Sequence, residues 1–499
     1  MPKLNQTAID TTLDAEEALT TQELHTIKKR SIAGVISFFF RGIVITLIGI
    51  VASGVLSAYL SPADFGVFGL VTQIIALLTF FSDIGLAASL IQKKDEPTEA
   101  EYRTAFTVQQ LLAWVIFAIA LMLVASGVVQ PKIGTAGAWV LLSLAFSFPL
   151  ATFKTISHLK LERRLEFGKA VLPQVFEQLI FNVLLIVLAW RGMGVMAYTY
   201  AILARSVVGI VAIQYLMPWQ PALAWEQSVL KNLLSFGAKF QINDFLARVK
   251  DSLFYLVLGI YLPLDQFGYI QWGKNWSQYP YTLTVQHITA VTFPTFARLQ
   301  GSKPALARAI EKTLFFISLV IFPILVGMCV FIFPLVVLVP DYHKWQPALL
   351  SFVLFCLSIG WGAISTPLTT TLNAIGEINK TLKLMIMWTS LTWILTPVGI
   401  YLYGYNGVAI AAFVIAFTSV APMYYVAQIL PVKIWEQVWR QLTAASVMGL
   451  VGWIGLEWWQ QSLQMMVVGM ATVGSSYILT IAVVGKDKLW AEIKSLRKV

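Results

Sequence analysis

The chain has 499 residues, of which 58% are hydrophobic and only 12% charged, and its mean hydropathy is +0.74. This composition excludes a water-soluble protein built around one core, because too few polar residues remain to cover its surface. The net charge of +10 would suggest a nucleic-acid partner in a soluble protein, but the placement of the cations gives a simpler explanation.

Long apolar segments follow one another along the chain and predict membrane-spanning helices, since about 20 apolar residues cross a bilayer. The predicted spans of the first half are 32–58, 66–91, 104–128, 136–156, 170–190, 193–217 and 240–262. Those of the second half are 266–293, 313–338, 347–371, 382–402, 407–427, 442–458 and 463–484. We therefore predict an all-α polytopic membrane protein with about 14 transmembrane helices.

The lysines and arginines sort to one side of this topology. With both termini inside, 27 of the 35 fall in inner segments, three in outer loops and five within spans. Cytoplasmic loops near membrane helices keep an excess of these residues, so the sorting supports the span count and explains the positive charge without nucleic acid. We expect a multi-pass protein of the cell inner membrane with cytoplasmic N- and C-termini.

Short echoes along the chain predict two related halves around a central cavity. The echoes are Tyr59-Leu60 with Phe65-Gly66 against Tyr261-Leu262 with Phe267-Gly268, and Gly194-Val195 against Gly407-Val408. Such parallel repeats are common in secondary transporters. The predicted parts are a polar tail (1–31), an N-lobe of six helices (32–217), an interfacial cytoplasmic linker (218–239), a C-lobe of six helices (240–427), two added helices (428–484) and a basic tail (485–499).

Charged side chains inside spans are the first candidates for function, because an intramembrane charge is costly and needs a partner or a wet cavity. Arg41 of the first span and Asp83 of the second lie at one depth, which predicts an ion pair. That pair either locks two helices or takes part in gating or substrate binding. In the seventh span, Asp244, Arg248 and Asp251 share one helix face by their i, i+4, i+7 spacing.

Amide side chains form polar stripes beside these charges in the fifth and eighth spans. Arginine binds phosphate oxygens through a bidentate fork and lysine through a point charge, while amides and aromatic rings suit sugars. The candidate substrate-binding residues are Arg41, Arg205, Arg248, Lys274, Gln174, Gln178, Gln271, Asn275 and Gln278. The candidate ion-pair or coupling residues are Asp83, Glu177, Asp244 and Asp251, which in the alternative interpretation only neutralise the cations and hold helices together.

Motifs for catalysis, metal binding and nucleotide binding are absent from the sequence. Cys329 and Cys356 both fall inside spans, so neither a disulfide framework nor a metal cluster is predicted. We therefore expect no catalytic residue, no metal and no cofactor, and an ATP-driven pump is disfavoured.

Several stretches in a fixed order carry a resemblance to a known family. They are residues 82–86 (Ser-Asp-Ile-Gly-Leu), 89–94 (Ser-Leu-Ile-Gln-Lys-Lys), 161–167 (Leu-Glu-Arg-Arg-Leu-Glu-Phe), 293–300 (Phe-Pro-Thr-Phe-Ala-Arg-Leu-Gln) and Lys344-Trp345 with Pro347. In these stretches the chain resembles the Wzx-type polysaccharide flippases, notably the branch with the colanic acid exporters. Two features depart from that family: Tyr342-His343 replace its acidic Gly-Glu, and the polar N-terminal tail is longer.

The resemblance implies the multidrug/oligosaccharidyl-lipid/polysaccharide exporter fold and a transport function rather than an enzymatic one. It implies alternating-access transfer of undecaprenyl-diphosphate-linked repeat units to the outer leaflet for surface or exopolysaccharide assembly, coupled to an ion such as H+ or Na+. Partners would be the lipid-linked glycan, membrane lipid and polysaccharide polymerase, with no nucleic acid. Two alternatives stay open, namely a multidrug or organic cation antiporter of the same fold and an integral-membrane polymerase or glycosyltransferase.

Overall fold

The computed structural model describes residues 21–79, 86–93, 95–227, 229–230, 252–486 and 488, and these residues form helices joined by short turns, with no strand among them. The helices of the first half are α1 (Thr21–Tyr59), α2 (Pro62–Thr79), α3 (Glu99–Ala125), α4 (Gln130–Arg163), α5 (Phe167–Trp190) and α6 (Met196–Leu216). A short helix, Leu86–Gln92, lies between α2 and α3.

The second half begins with α7 (Ser252–Tyr261). The next helix, α8 (Leu264–Tyr281), continues through a π-helical turn, Thr282–Gln286, into His287–Leu299. The rest are α9 (Lys303–Leu338), α10 (Leu349–Ala374), α11 (Ile378–Tyr403), α12 (Gly407–Ala416, continuing as Val420–Ile429), α13 (Ile434–Ile454) and α14 (Leu463–Val484).

Every predicted span overlaps a helix where the structure describes it, whereas residues 80–85 of the second span and 240–251 of the seventh lie outside the described residues. In the described part of the chain, ten segments are long and apolar enough to cross a membrane by length and composition. The predicted all-α polytopic fold is thereby confirmed. Some boundaries are wrong, because α4 runs to Arg163 and α9 starts at Lys303, well outside the predicted spans. Lys, Arg, Glu and Leu are good helix formers, so charged residues at a span's end continue the helix instead of ending it.

The two halves repeat each other in backbone geometry. After α4 and after α10, 211 residues apart, the amides of Glu166 and Glu377 each donate to a carbonyl five residues earlier, at 2.9 and 2.8 Å. The residue before each of them is left-handed, Leu165 with φ 57° and Gly376 with φ 81°. Each glutamate also pairs with the lysine three residues later. The predicted repeat of two six-helix lobes is confirmed, with α13 and α14 added to the second. We call this end of the helices the loop end.

At the opposite end, which we call the turn end, short turns at residues 60–61 and 262–263 join α1 to α2 and α7 to α8. Here α2 and α8 touch through two glycines in equivalent positions. A Cβ on Gly66 would lie 1.9 Å from the carbonyl oxygen of Leu264, and one on Gly268 would lie 1.8 Å from that of Pro62. Only glycine allows this approach of the two lobes.

The contact between the lobes also extends along α1 and α8. Near the turn end, the indole nitrogen of Trp272 donates to the hydroxyl of Ser57 at 2.8 Å. Toward the loop end, a Cβ on Gly42 would lie 2.6 Å from the ring of His287. We call the contact of α1 and α2 with α7 and α8 the seam. One hydrophobic core crosses the seam, because it joins residues of α1 to α6 with residues of α7, α8, α10 and α12. A second, larger core lies in the second lobe and includes residues of α13 and α14.

Two of the stretches that carry the family resemblance contact each other at the loop end. The guanidinium of Arg163 donates to the carbonyl oxygens of Leu90, Ile91 and Lys93 at 2.6 to 3.1 Å. It thus caps the end of the short helix, where carbonyls have no helical partner. These two stretches therefore fasten the end of the short helix to α4 of the N-lobe.

The predicted linker starts on the N-lobe. The indole nitrogen of Trp219 donates to the carboxylate of Glu99 at 3.1 Å, and the amide of Ala224 donates to the hydroxyl of Thr107 at 3.0 Å. Residues 219–224 are therefore packed against the loop end of α3.

Candidate functional site

An open cavity of about 510 Å³ lies between α4, α5 and α6, with Ile45 of α1 at its edge. We call it the N-lobe pocket. Its polar lining residues are Lys154, Thr155, His158, Glu162, Gln174, Glu177, Gln178 and Arg205. Within an apolar helical bundle this is a concentration of charge that lipid would not tolerate, so the pocket must hold water or a polar ligand.

Glu177 lies at the centre of this pocket and is only 6% exposed. Its carboxylate is 2.8 Å from the ammonium of Lys154 on α4 and 3.6 Å from Nε of Arg205 on α6. The arginine side chain is 45% exposed and lies over the ring of Phe181. One buried carboxylate therefore has two cations from two helices as partners, and both cations also line the open cavity.

A glycine on α6 makes room for this carboxylate. Gly209 follows Arg205 by one helical turn, so both face α5. A Cβ at Gly209 would lie 2.0 Å from Oε1 of Glu177. The pair of an arginine and a glycine four residues apart thus supplies both the partner and the space for Glu177.

A second polar chain joins α1 to the same pocket. The guanidinium of Arg41 donates to the side-chain oxygen of Gln174 at 2.6 Å. The amide nitrogen of Gln174 lies 3.4 Å from Nε2 of His158, which is 3.2 Å from the carboxylate of Glu162. Arg41 is therefore connected to the N-lobe pocket through an amide, and three guanidinium or ammonium groups meet two carboxylates there.

The second lobe has a cavity of about 440 Å³ with different chemistry, which we call the C-lobe pocket. It lies among α7, α8, α10, α11 and α12, with Gln73 of α2 at its edge. Its aromatic and hydroxyl-bearing lining residues are Phe254, Tyr255, Phe355, Trp388, Trp393, Ser252, Ser358, Thr389, Thr392 and Thr396. In the part of the lining that the structure describes, Lys274 is the charged residue.

Lys274 packs on an aromatic ring. Its ammonium lies 3.4 Å from the centroid of Tyr255, and it takes part in no ion pair among the described residues. The ring of Trp388 is fixed by a 2.9 Å hydrogen bond from its Nε1 to Thr418. Ring faces, hydroxyl groups and one cation thus surround this cavity.

The repeat places both pockets in equivalent crevices, but at different depths. Each crevice lies among the first, fourth, fifth and sixth helices of its lobe. The offset of 211 pairs Phe355 and Ser358 of α10 with Leu144 and Ser147 of α4, whereas the N-lobe pocket begins on α4 at Ala151. At about 1.5 Å per residue, the C-lobe pocket is at least about 6 Å nearer the turn end.

Above the pockets, two lysines tie the lobes together at the turn end. Lys344, before α10, donates to the carbonyl oxygen of Ala58 at 2.5 Å. Lys132, at the start of α4, donates to that of Leu262 at 2.7 Å. The two donors occupy equivalent places in the repeat, and each binds the end of the opposite lobe's first helix.

Aromatic donors reinforce this closure. Trp345 donates through Nε1 to the carbonyl oxygen of Ser57 at 2.7 Å and stacks on Trp272 with ring centroids 4.9 Å apart. The hydroxyl of Tyr342, one of the residues that departs from the family pattern, donates to the carbonyl oxygen of Gly54. The turn end is therefore shut by donors to backbone carbonyls.

The predicted site residues separate into several places. The N-lobe pocket brings together Gln174, Glu177, Gln178 and Arg205, with Arg41 attached through Gln174, and the C-lobe pocket contains Lys274. Three predicted residues of α8 line neither pocket: Gln271 is buried against Gly69 of α2, while Asn275 and Gln278 are exposed. The remaining four predicted residues lie outside the described residues, namely Asp83, Asp244, Arg248 and Asp251. No group of three or more His, Cys, Asp and Glu in the described ranges could hold a metal ion.

Sequence reasoning missed Lys154, His158 and Glu162 as site residues. The predicted boundaries place these residues at the end of a span and in an inner loop, but α4 continues through them. Their spacing of four residues puts them on one face of a helix, and this signal is in the sequence. The tryptophans of the C-lobe pocket gave no such signal, because tryptophan in an apolar span also faces lipid.

A family model described as "Polysaccharide biosynthesis protein" matches residues 55–349, which is more than half of the chain. The chain is 23% identical over 402 residues to the lipopolysaccharide biosynthesis protein WzxC of Escherichia coli K12, a match that covers 80% of this chain and 81% of that one. It is also 23% identical over 355 residues to a protein of Klebsiella pneumoniae described as a membrane protein in the cps region, covering 68% of this chain and 70% of that one.

Two solved structures share the fold. The lipid II flippase MurJ in an inward closed conformation superimposes with a TM-score of 0.68 at 16% identity, covering 92% of this chain and 100% of that one. An inward-facing multidrug resistance MATE family transporter of the MOP superfamily gives a TM-score of 0.54 at 14% identity, covering 77% of this chain and 95% of that one. The chain thus shares its fold with two multi-pass transporters.

Proposed function

This chain belongs to the family of polysaccharide biosynthesis proteins, and on that premise we propose that it is a flippase for lipid-linked glycans. More specifically, it moves undecaprenyl-diphosphate-linked oligosaccharide repeat units from the cytoplasmic to the outer leaflet. The E. coli relative is named for lipopolysaccharide biosynthesis and the MurJ structure for a lipid II flippase, and both names agree with such a substrate.

The observation that carries the proposal is the arrangement around Glu177. Lys154 and Arg205 converge on its carboxylate, and Arg205 also faces the open cavity. A diphosphate presents the same kind of anionic oxygen to these cations, and charge-assisted hydrogen bonds from Arg and Lys to phosphate are strong. The diphosphate would therefore replace Glu177 as their partner, with Arg41 close by. Arg248 and Lys274 remain proposed contacts for later positions of the substrate.

The carboxylate of Glu177, which this exchange releases, is our proposed site for coupling transport to an ion gradient. Once Lys154 and Arg205 hold phosphate, Glu177 is left buried without a counter-charge, and it must take up a proton or another small cation. A gradient of H+ or Na+ would thus drive the return to the empty state. Asp83, Asp244 and Asp251 are further proposed coupling or pairing residues.

Orientation follows from the distribution of cations. The loop end carries Lys160, Arg163, Arg164 and Lys169, so it faces the cytoplasm of a cell inner membrane, with both termini on that side and the linker 218–239 at the same surface. The closed turn end then faces outward. Alternating access requires that its bonds break when the glycan leaves, and a polysaccharide polymerase would receive the glycan there.

The resemblance to the MATE transporter favours one competing function, the export of organic cations by the same fold. A cationic drug needs an acid that is free to bind it. In the N-lobe pocket, however, the buried acid Glu177 already has two cations as partners. The flippase proposal uses the cations of this pocket, whereas the drug-exporter alternative leaves them without a role.

The test is a translocation assay in proteoliposomes that hold the purified protein and a polyprenyl-diphosphate lipid with a short glycan. Outward-facing glycan is captured by a lectin, with and without a gradient of H+ or Na+. We expect protein-dependent and gradient-sensitive transfer, which falls at least tenfold in Arg205→Gln.

The matched control is Arg298→Gln, at the loop end of the helix that follows α8, where the side chain lines neither pocket. It should transfer lipid like the wild type. Absence of transfer for every glycolipid tested, together with gradient-driven efflux of organic cations, would overturn the flippase proposal in favour of the drug exporter.

A further inference from the structure

The C-lobe pocket is not explained by diphosphate binding. Among the described residues of its lining the one cation is Lys274, which lies on the ring of Tyr255, and most of the others are aromatic or hydroxyl-bearing. A phosphate site would gather several cations or a row of backbone amides. A lipid-tail site would not expose threonine hydroxyls and an ammonium. The chemistry of this lining therefore calls for a ligand that is apolar on one side and rich in hydroxyl groups on the other.

The aromatic walls of this pocket are held in place. Trp388 is fixed by its hydrogen bond to Thr418, and Trp393 packs edge-on against Phe254 with ring centroids 5.4 Å apart. Trp393 is still 37% exposed, so part of its indole remains free to contact a ligand. A rigid, partly exposed ring binds at a low entropic cost, because little side-chain freedom remains to be lost.

The hydroxyl groups can serve a ligand as acceptors. Thr389 and Thr392 each donate to a carbonyl of their own helix at 2.7 Å. Their oxygens retain lone pairs for a donor from the cavity. Lys274 supplies donors beside them, because an ammonium has three hydrogens and a π contact leaves hydrogens free. Donors and acceptors thus surround an aromatic face.

We propose that the C-lobe pocket is the glycan subsite of the transporter, in which a pyranose ring stacks on Trp393 while Lys274 and the threonines of α11 bind its hydroxyl groups. A pyranose has a face of C–H groups and a rim of hydroxyls, which match the ring and the polar lining. The volume of about 440 Å³ is within the range of small-molecule pockets, about 300–1,000 Å³. This proposal rests on the proposed function and assigns the sugar to one lobe and the diphosphate to the other.

The difference in depth supports this division. The N-lobe pocket lies nearer the loop end, at the level from which a lipid phosphate of the inner leaflet enters. The C-lobe pocket lies nearer the turn end, where the glycan arrives if it enters ahead of its lipid. One molecule would then span both pockets, with its charged part in the first and its sugars in the second.

The experiment compares the translocation of polyprenyl-diphosphate lipids that carry one sugar with those that carry a longer glycan. We expect Trp393→Leu to reduce transfer of the long glycan about tenfold and to leave the one-sugar lipid nearly unchanged. Lys274→Gln should act in the same direction with a smaller effect. Arg205→Gln should reduce transfer of both lipids, since both contain the diphosphate.

Two controls separate a binding role from a packing role. Trp393→Tyr keeps a ring and should restore most of the transfer, whereas Trp435→Leu removes an exposed tryptophan outside the pocket and should change nothing. Equal loss for both lipids, or no loss for the long glycan, would overturn the glycan subsite and leave the flippase proposal standing. If the wild type moves neither lipid, the flippase proposal fails, and the glycan subsite, which rests on it, fails as well.

Discussion

The two lobes share a backbone but not a pocket. The turns after α4 and α10 use the same hydrogen bonds, the glycines of α2 and α8 meet in equivalent places, and lysines in equivalent places bind the opposite lobe. Yet the crevice of the N-lobe holds carboxylates and cations, and that of the C-lobe holds aromatic rings and hydroxyls. The repeat has therefore kept the residues that hold the scaffold and changed those that face the cavity.

The largest effect should come from the glycines of the seam. In Gly66→Ala and Gly268→Ala the new Cβ meets a backbone oxygen, which cannot move aside as a side chain can. Overpacking costs typically about 1–3 kcal/mol, so we expect a loss of about 3 kcal/mol or more in each variant. Thermal unfolding in detergent, followed by size-exclusion chromatography, measures this loss.

The control is Gly474→Ala in α14, where a new Cβ meets nothing within 4 Å. It should match the wild type. If the two seam variants lose very different amounts of stability, the proposed equivalence of the two lobes at the turn end is wrong.

The next effect separates the two pockets. Glu177→Gln leaves Lys154 and Arg205 without their carboxylate, and because both cations are partly exposed we expect a loss of about 1–2 kcal/mol. Lys274→Met removes only the contact with Tyr255, which is worth about 0.5–1 kcal/mol. Unfolding midpoints of the purified variants rank them.

Gly209→Ala sharpens this comparison without changing any charge. Its Cβ displaces the Glu177 carboxyl, so the variant should behave like Glu177→Gln. A Gly209→Ala protein as stable as the wild type would show that Glu177 tolerates another position.

A smaller and more local effect is expected at the two lysines of the turn end. Lys132→Met and Lys344→Met each remove one hydrogen bond to a backbone carbonyl, worth about 1 kcal/mol. The turn end should open more often in both, and most in the double variant. A cysteine placed beside the turn by Leu60→Cys, where the native side chain is fully buried, reports this opening through the rate of labelling by a membrane-impermeant maleimide.

Labelling that is unchanged in the double variant would mean that the aromatic contacts alone keep the end shut. Labelling that rises in only one single variant would mean that the two lysines do not act as a pair.

The smallest effect should come from the equivalent glutamates of the loop end. Glu166→Gln and Glu377→Gln weaken ion pairs that are partly exposed, so each should cost no more than about 0.5 kcal/mol. Unfolding midpoints within error of the wild type are expected for both. A large loss in one of them would show that its lobe depends on that turn more than the repeat suggests.

The helices and the repeat could be predicted because span length, hydropathy and the sorting of cations can all be read from the order of residues along the chain. The four-residue spacing of Gln174 and Gln178 placed both in one pocket, since α5 is regular there. The stripe of α8 misled: Gln271 is buried against α2, while Asn275 and Gln278 are exposed. Periodicity gives the face of a helix, but it does not tell which neighbour covers each part of that face.

The composition of the C-lobe pocket could not be predicted for a different reason. Phe254, Trp388 and Trp393 come from helices far apart in sequence, and each is an ordinary residue for an apolar span. Only the folding of α7 and α11 against each other gathers them. The charged residues of the N-lobe were easier to find, because charged residues are rare in spans and each of them needs a partner.

The closure of the turn end depends on side chains that donate to backbone carbonyl oxygens of Gly54, Ser57, Ala58 and Leu262. Every residue type offers that oxygen, so these bonds do not constrain which residue stands at an acceptor position, although the hydroxyl of Ser57 is needed for its separate bond with Trp272. Covariation between aligned sequences would therefore not detect these contacts, and only the donors would look constrained. Crosslinking or labelling across the turn end, and not the statistics of substitution, is the way to detect this gate in distant relatives.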